Sequence, residues 1–134
     1  MIQDKIVAHY QDGRLLKGFT NNFVPNKDFF HFIPMDSPPG SKLLELRTAG
    51  LKGLFFVKEF GGNPNYNEKK EFDSPKLLVG RKISVVFKDG ELMVGTTARY
   101  PQDCPGFFVV PADTNSNNVC CFVDKSATQQ ISLI

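Results

Sequence analysis

The sequence contains no tryptophan, only two histidines and only three cysteines among its 134 residues. An odd number of cysteines, two of them adjacent at 120 and 121, is not a disulfide framework and favours a reducing cytoplasm. Zinc would need spaced pairs of Cys or His ligands, and the sequence has none. It also lacks a Gly-rich phosphate loop and a nucleophile elbow. These absences predict a protein without metal, cofactor or catalytic residues.

The sequence also has little excess of positive over negative charge and no long apolar run. Sixteen Lys and Arg against fourteen Asp and Glu give a net charge of +2, too weak to indicate nucleic acid by itself. No stretch approaches the roughly 18 apolar residues of a membrane span. The start, MIQDKIVAHYQDGR, lacks the apolar core of a signal peptide. The sequence therefore predicts a cytoplasmic globular protein, and its thirteen phenylalanines predict a Phe-packed interior.

What the sequence does contain is a repeat. Residues 5–36 align without a gap to residues 82–113 and are identical at ten of the 32 positions. The same frame pairs apolar residues up to the last position, so 5–57 and 82–134 form two copies of a 53-residue unit. Two unrelated hairpins could share an Asp-Gly turn, but they would not keep Gly, Pro and Phe in one register. We therefore predict an internal duplication.

Each copy is predicted to form five short β-strands. Apolar residues alternate around the Asp-Gly pairs at 12–13 and 89–90, a pattern typical of hairpins with type I′ turns. Gly18 and Gly95 fall inside the second strand, where a glycine marks a bend, a bulge or a close backbone approach. A short connector before the fifth strand is expected to form one helical turn in each copy. The later strands are predicted near 29–34, 42–48 and 53–60, and near 107–111, 118–124 and 129–134.

Five short strands with a bent second strand describe a small, strongly curved barrel. The stretch KISVVFKDGELMVGTT resembles the first half of an Sm-like motif and, more broadly, SH3-like barrels. The whole chain also resembles an uncharacterised bacterial family of such duplicated units, through DG…KG, LKGLFFVKEF and GTT…PGFFVVPAD…SNN. The resemblance implies an all-β protein of two tandem five-stranded Sm/SH3-like barrels packed as a pseudo-dimer. The barrels would span 1–57 and 82–134, with a linker or crossover at 58–81.

The resemblance to the uncharacterised family implies no assigned activity, whereas the Sm resemblance implies RNA binding as one alternative. Sm-like RNA binders place an Asp and an Asn in the loop after strand two, where this chain has Asn26 and Asp28, and Asp103 in the second copy. No Asn precedes strand three, and Arg47 is separated from Gly50 where an Arg-Gly pair is expected. Base binding needs a stacking surface together with a cationic groove, and the lysines are scattered.

The two histidines and the two adjacent cysteines are predicted to be structural, because each stands where the other copy has an apolar residue and the position therefore tolerates apolar packing. Cys104 is predicted to lie in a loop, and no His of the sequence is placed to pair with it. We expect at least one of the adjacent cysteines to be buried. The aligned pairs are His9 with Val86, His31 with Phe108, Cys120 with Leu43, and Cys121 with Leu44.

Strands three and five carry apolar residues on both faces, more than one barrel core needs. Two apolar faces indicate that the outer face is covered too. We predict that most of Phe29, Ile33, Phe55, Phe108 and Val110 are buried between the copies, beneath linker aromatics or in a homodimer. Any that stay exposed would form a docking patch.

The linker has the aromatic residues Phe60, Tyr66 and Phe72 in a polar, mixed-charge run. Either it is a surface crossover whose aromatic side chains pack against the barrels, or it is an arm that binds a partner. The candidate partner-binding residues are these three together with Phe29 and Phe108. The sequence thus predicts a non-catalytic binding or regulatory module, with a protein partner or self-association favoured. The alternatives are an Sm-like RNA-binding protein and a small-molecule sensor that uses the cleft between the copies.

Overall fold

The computed structural model describes residues 4–20, 23–24, 27–38, 40–61, 80–98, 105–113 and 115–134. Within these residues the protein is all-β, as the sequence predicts: ten antiparallel strands form one continuous sheet, and the one helical element is a 3-10 turn at Lys125–Ala127. None of the described residues forms a helix long and apolar enough to cross a membrane. In chain order the strands are β1 (Asp4–Tyr10), β2 (Leu15–Thr20), β3 (Phe29–Pro34), β4 (Leu44–Arg47), β5 (Leu51–Val57), β6 (Arg81–Phe87), β7 (Leu92–Thr97), β8 (Gly106–Pro111), β9 (Asn118–Asp124) and β10 (Thr128–Leu133).

The strand order across the sheet is β10-β6-β7-β8-β9-β5-β1-β2-β3-β4. The first half (residues 4–57) contributes β5-β1-β2-β3-β4, and the second half (residues 81–134) contributes β10-β6-β7-β8-β9 in the same relative order. The registers also agree at an offset of 77 residues, since Ile6 pairs with Gly18 and Ile83 pairs with Gly95. Strand β6 begins at Arg81, within the range predicted for the linker.

The two Asp-Gly hairpins differ from the predicted turn type. Gly13 and Gly90 have φ angles of 96° and 95°, whereas no described residue other than glycine has a positive φ, so neither turn is type I′. Each hairpin is a three-residue loop with a type I turn followed by a left-handed glycine. The aspartate carboxylate accepts a hydrogen bond from the backbone N–H two residues on, at 3.0 Å in both turns. The aspartate therefore works as a local cap, and only the glycine supplies the unusual backbone angle.

The glycines inside the second strands mark close backbone approaches, which is one of the three alternatives that the sequence left open. A Cβ on Gly18 would clash with the backbone oxygen of Ile33, and a Cβ on Gly95 would clash with that of Val110. These contacts bring β3 against β2 and β8 against β7. Both positions therefore exclude any side chain, because the obstructing atom belongs to the backbone of the paired strand.

The two halves are joined by a seam in which β5 pairs with β9. Both faces of β5 are buried there. Leu51 and Leu54 face the core of the first half, whereas Phe55 and Val57 pack into the core of the second half. In exchange, Phe122 of β9 packs into the core of the first half. The outer apolar face predicted for strand five is thus covered by the other half.

Among the described residues, the outer faces of the third strands carry exposed apolar side chains. Phe29 of β3 and Phe108 and Val110 of β8 are exposed, and Ile33 is partly buried. The other half buries Phe55, so burial between the halves is found for that member of the predicted set. Burial of Phe29, Phe108 and Val110 beneath linker aromatics or in a homodimer stays a prediction.

The predicted helical connectors behave differently in the two halves. Residues 125–127 form the 3-10 turn, and Asp124 caps it by accepting from the backbone N–H of Ser126. Residues 48–50 form a hydrogen-bonded turn instead, with a bond from the N–H of Leu51 to the carbonyl of Thr48. Gly50 has a φ of 83°, which a helical turn does not allow.

Candidate functional site

A groove crosses the outer surface at the seam, and Phe108 forms part of its wall. It has a volume of about 380 Å³ and combines residues of β1, β2, β5, β8 and β9, so both halves build it. We call it the Phe108 groove. Its lining residues are Asp4, Lys5, Thr20, Phe23, Phe56, Val57, Phe108, Val119 and Cys120.

The apolar wall of the groove is a cluster of phenylalanine rings. The ring centroid of Phe108 lies 5.4 Å from that of Phe122, 6.2 Å from that of Phe56 and 6.3 Å from that of Phe23. Phe23 in turn lies 5.0 Å from Phe122 in an edge-to-face arrangement. Such ring pairs stabilise one another beyond their buried area. The cluster therefore holds Phe108 in place while leaving 38% of it exposed.

The charged rim of the groove is already partly neutralised. Lys5 is the second residue of β1. Its Nζ lies 3.8 Å from the carboxylate of Glu59 and 5.9 Å from the ring centroid of Phe60. Asp4 is its neighbour on the same strand. The groove therefore presents one acid and one paired lysine around an apolar surface, which is not the cationic lining that a nucleic acid backbone requires.

Cys120 is the one thiol in the lining of the groove. Burial, followed by the charge of Asp4, raises the pKa of this thiol above its usual value. A thiol is nucleophilic only as the thiolate, which a raised pKa disfavours at neutral pH. The groove thus has the chemistry of a docking surface, and its cysteine is held in the unreactive form. The neighbouring Cys121 is fully buried, as the sequence predicted for at least one of the pair.

A second cleft, of about 280 Å³, lies between the two Asp-Gly turns and is centred on Lys52. Lys52 is only 4% exposed, although it is a charged residue of β5. Its Nζ lies 2.8 Å from a carboxylate oxygen of Asp89, also bonds Glu91, and lies 4.7 Å from the ring centroid of Phe87. We call Lys52, Asp89 and Glu91 the seam ion cluster, since it fastens β5 of the first half to the β6–β7 hairpin of the second.

The pKa values in this cleft follow from burial and from the cluster. Burial alone lowers the pKa of Lys52, but its hydrogen bonds to Asp89 and Glu91 outweigh that effect and raise the pKa above its usual value. The hydrogen bond from Lys52 lowers the pKa of Asp89. Burial, then the charge of Lys52, lowers the pKa of the nearby His9. Lys52 is therefore a protonated structural cation, which excludes it as a nucleophile at neutral pH.

The sequence-predicted candidates are not brought together in one site. Phe60 is half-buried, its ring 5.3 Å from that of Phe19, and its carbonyl accepts a hydrogen bond from Lys17. Phe29 is exposed at the start of β3, with the Arg47 guanidinium 5.7 Å from its ring centroid. In sheet order β3 lies five strands from β8, which carries Phe108. Tyr66 and Phe72 lie outside the described residues.

Sequence reasoning missed most of the groove and all of the seam ion cluster. Phe23 and Phe56 belong to the first half and meet Phe108 only because β5 pairs with β9, and no local pattern encodes that pairing. Within the described ranges, no group of three or more His, Cys, Asp or Glu residues could hold a metal ion. Of the loop residues relevant to RNA binding, Asp28 is exposed, whereas Asn26 and Asp103 lie outside the described residues.

Neither the curated proteins nor the solved structures contain a match to this chain. The profile of one protein family, described as a family of unknown function (DUF6982), matches residues 2–134. Since the match spans almost the entire sequence, the chain belongs to that family.

Proposed function

We propose that this chain is a non-catalytic binding module of the bacterial cytoplasm that engages a protein partner through the Phe108 groove. In this proposal it consists of two tandem small barrels of the Sm/SH3-like kind. The partner contributes an apolar side chain or short apolar segment that packs against Phe108 and Val119.

The architecture of the proposal is supported by the strand pairings. Each half has the strand order fifth-first-second-third-fourth, and its second strand carries a glycine against the backbone of the third. Small five-stranded barrels are built from strongly bent sheets of this kind. The identical offset of 77 residues in both sets of registers supports a duplicated unit.

The observation that carries the binding role is the exposure of Phe108 on a packed aromatic base. Leaving a large apolar side chain in water forgoes about 1.5–3 kcal/mol of burial. Phe108 and Val119 are both exposed on the same groove, while Phe56 and Phe23 beneath them are partly buried. Rigid aromatic anchors in apolar depressions dominate protein–protein binding energies.

The proposal that the chain is non-catalytic is supported by the protonation and ion pairing of Cys120 and Lys52. The Cys120 thiol is disfavoured as a thiolate, and Lys52 is held by two carboxylates. For the RNA alternative, the lysine in the lining of the Phe108 groove, Lys5, has an acidic partner in Glu59. The aromatic surface of that groove therefore has no unpaired lysine in its lining, whereas base binding needs a stacking surface and a cationic groove together.

The experiment introduces a photo-crosslinking amino acid at position 108 in cells, identifies the linked partner, and measures its binding to the purified chain. Phe108→Asp and Val119→Asp are expected to weaken binding at least tenfold, with little dependence on salt. Leu92→Asp is the matched control, because Leu92 is also 38% exposed but lies on β7, away from the groove. Equal binding by all three variants would overturn the proposal. Capture of nucleic acid with a steep loss of affinity as salt rises would favour the RNA alternative.

A further inference from the structure

The described sheet ends in two strands that each pair on one side only. These are β4, which pairs with β3, and β10, which pairs with β6. An edge strand presents unpaired N–H and C=O groups and is a template for pairing with another chain. Proteins that remain single protect such edges with charges, proline or covering segments.

The β5–β9 pair of the seam indicates a partner for each of these edge strands. At the offset of 77 residues, β10 corresponds to β5 and β4 corresponds to β9, and β5 pairs with β9 inside the chain. The two edges of the described sheet are therefore complementary: β10 corresponds to one strand of the β5–β9 pair, and β4 corresponds to the other. Transferring the seam register predicts that Ser132 lies opposite Leu44 and that Leu133 lies opposite Leu43, as Phe55 lies opposite Cys121 and Phe56 opposite Cys120.

The exposed side chains on the edges fit this pairing. Leu44 on β4 is 47% exposed and Leu133 on β10 is 40% exposed, and Leu43 beside them is exposed as well. Their seam counterparts, Cys121 and Phe56, are buried and half-buried. The edges thus expose apolar residues at positions that the seam covers.

The side chains at the β4 and β10 edges differ from those at the seam, and this difference affects how strongly two copies would bind each other. The two aromatic residues exchanged across the seam, Phe55 and Phe122, correspond to Ser132 and Glu45 at the edges. Lys52 of the seam ion cluster corresponds to Gln129. An edge contact therefore buries less apolar surface and lacks the buried ion cluster, which makes it weaker than the seam and dependent on concentration.

We propose that copies of this chain associate head to tail, with β10 of one copy pairing antiparallel with β4 of the next in the register of the seam. Each chain has one edge of each kind, so the contact is heterologous and propagates into a ring or a filament. This inference is independent of the proposed function, because the two edges share no residue with the Phe108 groove.

The test uses two edge variants and their mixture. Leu44→Lys blocks the β4 edge and Leu133→Lys blocks the β10 edge, because a lysine opposes burial at a strand edge. Leu15→Lys is the control, since Leu15 is an exposed leucine of β2, which has a neighbour on each side. Circular dichroism and thermal melting check that each variant folds. Should either variant not fold, Leu43→Lys and Ser132→Lys replace them.

Light scattering over a wide range of concentration is expected to show a rising mass for the wild type and for Leu15→Lys. Each edge variant alone is expected to keep the mass of one chain. Their equimolar mixture is expected to reach the mass of two chains and no more, because each partner retains the edge that the other has lost. A wild type that keeps the mass of one chain throughout, edge variants that still associate, or a mixture without the two-chain species would overturn the proposal.

Discussion

Phe55 and Phe122 lie one register step apart on the paired strands β5 and β9, yet they fill opposite cores. Phe55 belongs to the first half by sequence and is buried among the core residues of the second, whereas Phe122 does the reverse. Each core is therefore completed by a side chain from the other half. The seam is therefore part of both interiors.

Phe122→Ala is expected to lower the free energy of unfolding by about 3–5 kcal/mol, the usual cost of emptying a buried phenylalanine site. Phe122 is 2% exposed and supports both the first core and the ring of Phe108. Val119→Ala, an exposed change on the same strand, should stay within about 0.5 kcal/mol of the wild type. Denaturant unfolding of the two variants measures the difference. Equal stability of both would contradict the placement of Phe122 in a core.

Lys52→Met is expected to lower the free energy of unfolding at neutral pH by about 1.5–3 kcal/mol, the range for hydrogen bonds to charged groups. Methionine keeps much of the buried volume but cannot bond Asp89 or Glu91. Lys88→Met provides the control, because Lys88 lines the same cleft and is exposed. If the control loses as much stability as Lys52→Met, the seam ion cluster contributes nothing specific.

The seam ion cluster also fixes a pH dependence. The pKa of Asp89 is lowered below 3.8, so its contribution is present above pH 3.8 and is lost as the pH falls through the lowered folded value. The pKa of Lys52 is raised above 10.5, so its contribution is present below pH 10.5 and is lost as the pH rises through the raised value. Asp89→Asn should therefore be less stable than the wild type at neutral pH, and the gap should close in acid well below pH 3.8. Unfolding curves at several pH values provide the measurement, and a gap that stays constant in acid would rule out this role for Asp89.

Gly95→Ala and Gly18→Ala are each expected to destabilise the protein by at least about 1–3 kcal/mol, the usual cost of overpacking. In both cases the new methyl group would meet a backbone oxygen of the paired strand, which cannot move aside as a side chain can. Gly61→Ala is the control, because a Cβ there has nothing within 4 Å. Thermal melting of the three variants distinguishes the sites. A tolerated alanine at position 95 would show that β7 and β8 lie further apart than the structure has them.

The sequence predicted the local features because period-two alternation and turn residues are local. It placed β3 at 29–34 and β9 at 118–124, and it marked Gly18 and Gly95 as sites of a bend, a bulge or a close approach, of which the structure has the last. The predicted alternation of apolar residues before Asp12-Gly13 is also found in β1, where Ile6, Ala8 and Tyr10 are all buried. Each of these inferences depends only on residues a few positions apart.

What the sequence could not predict depends on which strands meet across the seam. Alternation shows that Phe55 and Phe108 both lie on outer apolar faces, but it cannot show that one is covered and the other exposed. That difference arises because the seam places Phe55 in the core of the second half, whereas Phe108 lines an open groove. The bond between Lys52 and Asp89 joins residues 37 positions apart in different halves, and neither residue has a local signature for it.

The pairing of β5 with β9 has a consequence for the order in which the chain is made. When the ribosome has released the first half, Phe55 and Val57 still lack the core into which they pack, and β5 is an open edge. Its partner, Asn118–Asp124, follows only after residues 58–117 have been added. The nascent chain therefore carries an unpaired apolar strand throughout that interval, and this is the stage at which a chaperone would protect it and at which aggregation would compete with folding.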